Sequence, residues 1–157
     1  MRKDLAKIAA YLRSEKDSYF GKAMRDLRSI GPEAIKAHDR TTAEKLVDEL
    51  IKAFWHWDAK VPVAKSRKEM GEGEFGEFVA RREKMRGRRD SVIELLFLLR
   101  EATDHMRSGK HMEKKGKGFA RHIGERIDEC EREWAVRTDE RIVKGEQGDR
   151  WAIRLRE

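Results

Sequence analysis

The chain has 157 residues, 43% of them charged and 38% apolar, with a formal net charge of +7 and a single cysteine. One cysteine excludes an intrachain disulfide framework and suits a reducing compartment, and twelve aromatic residues with regular apolar spacing argue against disorder. The opening stretch MRKDLAKIAAYLR places Lys7 inside its only apolar run, too short and too charged for a signal peptide or membrane span, so one soluble cytoplasmic domain over 1–157 is expected.

In chain order, Leu5, Ile8, Leu12, Phe20, Met24, Leu27 and Ile30 recur at helical steps and predict an amphipathic helix over Lys3–Ile30, weak in the middle around Ser14–Ser18. Gly31-Pro32 predicts its end, and a short bridge follows with helical character from Glu33 to His38. Thr41 and Glu44 read as a capping box that opens the next helix, where Leu46, Val47, Leu50, Ile51, Phe54 and Trp57 share a face. Trp55 falls at the edge of that face, and Lys45, Lys52 and His56 fall opposite. Pro62, Gly71 and Gly73 frame a basic loop over about 59–73, and GEGEFGEF reads as a linker.

A stripe of Phe75, Phe78, Val79 and Met85 then leads towards a break near Gly87. Ser91–His105 is the most apolar stretch, and its apolar residues cover nearly the whole helical circumference, the pattern of a buried central helix. Ser91 with Glu94 supplies a start signal and Ser108-Gly109 a stop. A flexible basic segment over about 109–118 precedes a helix marked by Phe119, Ile123, Ile127, Cys130 and Trp134. In the tail, about 138–157, Trp151, Ile153 and Leu155 alternate with other residues, which fits a short hairpin equally with a frayed helix or an arm docking on the core. The expected fold is all-α, four or five helices around a central apolar helix.

Charge placement carries the functional expectation. Arg81, Arg82, Lys84, Arg86, Arg88 and Arg89 face only Glu83 within nine residues, a net of +5, and five cations against Glu113 give Lys110–His122 a net of +4. Together these segments hold +9 in a chain of +7, so the rest sums to −2 and the basicity is local. On a helix, Arg81, Lys84 and Arg88 share a flank, which could track a phosphate backbone. The expected site is Arg81, Arg82, Lys84, Arg86, Arg88, Arg89, Lys114, Lys115, Lys117 and Arg121. The competing reading is a solvated face whose arginines pair with some of the 30 acidic residues.

No zinc-finger spacing, RNP-type strand, GxxG loop or zipper repeat is present, so RNA or a single strand is a more natural partner than a specific duplex sequence. Trp55 could stack a base there, although core packing is the ordinary role of Trp55, Trp57 and Phe54. Small helical subunits of multi-subunit CRISPR effector complexes are similar in size, helicity and basic character, a similarity of class rather than of motif. It implies an accessory subunit with protein partners; no membrane and no cofactor are expected from the residues themselves, with scope for a homo-oligomer. A helical adaptor or inhibitor that meets an acidic protein surface is the alternative.

Arg100 and His105 have the Arg-x4-His spacing and in that resemble ribonuclease domains of the HEPN type, which would make the pair catalytic. The pair would lie about 140° apart on one helix, so convergence requires the helix to end between them or a second chain. His122 with Glu125, and His56 with Asp58, each offer two metal ligands where a site needs three or four. Cys130 sits on its helix's apolar stripe and reads as a small buried hydrophobe. GEGEFGEF lacks the lysine and hydroxyl of a phosphate loop.

Overall fold

The computed structural model describes residues 5–62, 70–107 and 114–143. These form five helices and, among the described residues, no strand: α1 (Leu5–Leu12), α2 (Asp17–Lys36), α3 (Arg40–Lys60), α4 (Glu72–Arg107) and α5 (Lys114–Val143). The fold is all-α. The proposed hairpin in the tail, and parts of both basic loops, lie outside the described residues.

The first predicted helix is two. The chain turns at Arg13–Lys16, where the Lys16 amide donates to Ser14 Oγ at 3.2 Å, and the turn lets α1 fold back along α2. In turn α2 does not stop at Gly31-Pro32 but runs through both to Lys36. The missing Cβ of Gly31 explains the close fit: one built there would stand 2.7 Å from Leu99 Cδ2. The real stop is His38, at φ 57, with Asp39 N–H donating to Ala34 O at 2.9 Å and His38 N–H to Ile35 O at 3.1 Å, a Schellman closure with histidine in the left-handed position. Asp39 then caps α3 by accepting from Thr42 N–H at 3.3 Å, so the cap is Asp39 and not the Thr41–Glu44 box.

The largest departure is in α4, a single helix of 36 residues that absorbs the predicted linker, the break near Gly87 and the central segment. Its first turn carries Glu72 and Glu74, the sign favoured by the helix dipole. Gly87 has open space where a Cβ would stand, and Ser91 donates to Gly87 O at 2.8 Å rather than capping a new helix. A lone exposed glycine costs about 1 kcal/mol, less than the burial that continuity permits. Val92, Ile93, Leu95, Leu96 and Leu99 are buried as expected, while Leu98 is exposed.

Helix α5 likewise starts earlier than predicted, at Lys114, so Lys114–Gly118 is helix rather than loop, and it continues to Val143. Its apolar positions Phe119, Ile123, Ile127, Cys130 and Trp134 are all buried. The core is one continuous cluster to which all five helices contribute, and α4 meets α2, α3 and α5. No helix among the described residues is long and apolar enough to cross a membrane.

Candidate cationic surface

Met85 and Val92 are both fully buried and seven residues apart, so Arg88 and Arg89, three and four residues after Met85, fall on the same inward stripe. Both arginines are buried, Arg88 at 4% and Arg89 at 0% relative exposure. This corrects the expected outward flank of Arg81, Lys84 and Arg88, since Arg88 points into the molecule.

Arg88 seals the α1–α2 turn. Its guanidinium donates to Ser14 O, to Glu15 O at 2.6 Å and to Asp17 Oδ1 at 2.6 Å. It also lies over the rings of Phe20 and Trp57, at 4.9 and 4.7 Å from their centroids. Trp57 completes the closure by donating from Nε1 to Leu12 O at 2.8 Å. The turn carbonyls that helix geometry leaves without partners are thus taken up by side chains from α3 and α4.

Around this plug, Glu15 draws Lys60 and Arg81 at 3.5 and 3.6 Å, and Lys84 reaches Asp17 at 3.6 Å. Lys60, then Arg81, hold the Glu15 carboxyl below its ordinary value, and Arg88 with Lys84 do the same for Asp17. Arg82 donates to Pro62 O at 3.1 Å and Arg86 pairs with Glu83 at 3.1 Å. Every cation of the first segment therefore has an intramolecular partner, although Arg81 and Lys84 keep about half of their side chains exposed.

Arg89 belongs to a second, fully internal node. It pairs with Asp58 at 3.2 Å and Asp90 at 3.0 Å and stacks 5.0 Å from the Trp134 ring centroid, while Trp134 Nε1 donates to the same Asp58 oxygen at 3.2 Å. This ties α3, α4 and α5 together. Asp58 is consequently turned away from the metal pairing with His56. Its position gave the signal: it follows Phe54 by four residues on an apolar face, where a carboxylate survives only if paired.

The second segment has a different setting. Lys114, Lys115 and Lys117 open α5, whose first turn holds no acidic residue. Arg121 is exposed and has no carboxylate partner among the described residues. Next to it, His122 Nε2 stands 3.8 Å from Glu44 rather than beside a ligand set with Glu125, and Arg126 pairs with Asp48. Lys45, next to Glu44 on α3, is exposed.

The remaining candidates do not converge. Arg100 is bound to Asp128 at 3.0 Å and Glu131 at 2.5 Å. Burial works against its charge, but those two carboxylates outweigh it and hold the guanidinium protonated. His105 is exposed. Trp55 is half-buried beneath the Arg137 guanidinium, 4.3 Å from its ring centroid, so a cation already occupies the face offered to a base. Cys130 is buried, and burial followed by the nearby glutamates pushes its thiol up to about 12. No group of three or more histidine, cysteine, aspartate or glutamate side chains among the described residues is arranged to hold a metal ion. Comparison of the chain with known protein families, characterised proteins and solved structures returns no match.

Proposed function

We propose that this all-helical chain binds the backbone of RNA or a single strand without catalysis, as an accessory subunit of a nucleoprotein assembly, and that contact is made by the opening turns of α5. The observation that carries the reading is the run Lys114, Lys115, Lys117 and Arg121 at the start of a helix with no acid in its first turn. Cations there add to the positive end of the helix dipole, an arrangement that costs stability in the free protein and is relieved by an anion. Nothing internal among the described residues neutralises Arg121. Arg81 and Lys84 are auxiliary at most, because Glu15 and Asp17 already hold them, and Arg88 and Arg89 leave the site.

A salt titration of binding to single-stranded RNA, single-stranded DNA and duplex DNA tests the reading. Four phosphate contacts predict a log–log slope of about −3 for single strands. Reversing Lys114, Lys115, Lys117 and Arg121 to glutamate should abolish binding and leave the fold intact. Absence of binding at low salt would overturn the proposal in favour of a protein-interaction module. RNA cleavage lost on His105→Ala would favour the ribonuclease reading.

A further inference from the structure

Helix α2 holds four cations against Asp17, Asp26 and Glu33, a net of only +1, so its own sequence does not mark it as basic. The fold sorts these charges. Asp17 is taken by Arg88 and Lys84 from α4, and Asp26 is half-buried. Lys22, Arg25, Arg28 and Lys36 are all exposed, and none has a carboxylate partner among the described residues. Lys22, Arg25 and Lys36 lie opposite the buried positions Met24, Leu27 and Gly31, so they share the outer face of the helix. Apart from Asp17, Glu33 is the one exposed acid of α2. The stretches outside the described residues, 1–4, 63–69, 108–113 and 144–157, carry net formal charges of +1, +2, 0 and +1, so none complements this face by its net charge.

At its start the face adjoins an aromatic pair. Tyr11 of α1 and Tyr19 of α2 stack with centroids 4.5 Å apart and planes at 8°, and Tyr19 is 40% exposed. Lys16 Nζ stands 4.9 Å from the Tyr19 centroid and has no carboxylate partner among the described residues. Trp55 differs, because Glu133 holds the Arg137 guanidinium that lies over it, at 2.7 Å. Lys16 can yield the Tyr19 ring to a base and take the neighbouring phosphate. A π face beside a row of cations is what an unpaired strand requires, whereas the bases of a duplex are already stacked on one another.

The helix directions connect this face to the opening of α5. Along α4, Asp17 meets Arg88 and Gly31 meets Leu99, so α2 runs parallel to it. Asp128 meets Arg100 and Trp134 meets Arg89, so α5 runs the opposite way. Lys36 and the first turns of α5 therefore lie towards the same end of the bundle. From Lys36 back to Tyr19 the outer face of α2 is about 25 Å long.

We propose that a single strand anchored at the opening turns of α5 continues along the outer face of α2, its phosphates against Lys36, Arg25 and Lys22 and a base stacked on Tyr19. The inference rests on the nucleic-acid reading and makes its ligand an unpaired strand. The α5 cations remain the anchor, and α2 adds contacts only to a strand already tethered there.

Oligouridylates of about five and about twenty nucleotides test it, with the full chain and a salt titration. The short strand should give the slope of about −3 that four contacts at α5 predict, and the long one, with three contacts more, about −5. K22E/R25E/K36E should bring the long-strand slope back to about −3. Tyr19→Ala should weaken long-strand binding at least about fivefold without changing the slope, and Tyr19→Trp, which keeps a ring there, should recover the loss. Equal slopes for the two lengths, or a long-strand affinity that Tyr19→Ala leaves unchanged, would overturn the inference while the reading of α5 stands. An equal loss from Tyr19→Ala on an abasic strand of the long length would also overturn it, by tracing the effect to folding rather than to a stacked base. Binding of neither strand would overturn both.

Discussion

The arginines between Arg81 and Arg89 and the cations between Lys114 and Arg121 are similar in local charge, yet α4 carries its set into turn carbonyls and carboxylates while α5 begins with its set. The distinction is one of register and helix polarity. On α4 two arginines share the stripe of Met85 and Val92, where burial forces them to find acceptors. On α5 the lysines occupy the helix end whose own partial charge repels them. Local charge density therefore does not separate a structural clamp from the proposed binding surface; the element on which the charge lies does.

The sharpest way to break this comparison is at the internal node. Asp58→Leu takes from buried Arg89 its fully buried counter-charge, leaving it Asp90, and removes the acceptor of Trp134 Nε1. A loss of about 3–5 kcal/mol is expected in denaturant unfolding. The double variant D58L/R89M should recover much of that loss, because apolar residues of similar volume replace a buried pair at little cost. Were Arg89 a ligand-facing cation, R89M would leave stability unchanged and weaken binding instead.

Next in size is Arg88→Leu. The carbonyl of Ser14 loses its Arg88 donor and that of Glu15 keeps Lys84 Nζ at 3.2 Å, while Asp17 remains hydrated. Losing these part-buried bonds from a charged donor costs about 1–3 kcal/mol, measurable as a fall in the denaturant midpoint. By contrast, Arg121→Glu on the open surface should change stability by less than about 0.5 kcal/mol. Its effect belongs to binding: the salt slope should fall by about 1. Opposite rankings of R88L and R121E in the two assays constitute the comparison in its simplest form.

Much of this was legible beforehand, and the failures share one cause. The apolar positions of α3 and α5 predicted their buried faces because each helix is uninterrupted over its apolar stripe. The inward direction of Arg88 and Arg89 was also written in the chain, three and four residues after Met85, but it is readable only if α4 is continuous. Gly87 and the Ser91–Glu94 pair are legitimate local signals for a break, and tertiary burial on both sides overrides them. Pro32 misled in the same way, since the packing of Gly31 against Leu99 carries α2 through it. Asp58 was weighed only beside His56, as two ligands where a metal site needs three or four, and not by the helix face it shares with Phe54, which is where its pairing with Arg89 was legible.

The smallest expected effect concerns acidity at the clamp. His56 on α3 has a buried Nε2 with no hydrogen-bond partner among the described residues. Burial first, then Lys60 and Arg13, lower its pKa below the ordinary 6.5. The unfolded chain therefore takes up the proton more readily than the folded one, so the contribution to stability is full above 6.5 and is lost as pH falls from there through the lowered folded value. The lowered carboxyls of Glu15 and Asp17 have the same sign but act in a lower window, beneath the usual carboxylate range. Their contribution is complete above that range and disappears as they protonate. Unfolding curves from about pH 8 to about pH 3 should thus show two separate declines. His56→Gln should remove only the upper one, and Asp17→Asn only part of the lower one. Neither substitution should alter the salt slope of binding at neutral pH, because both lie at the clamp and the proposed polyanion contact lies at the start of α5.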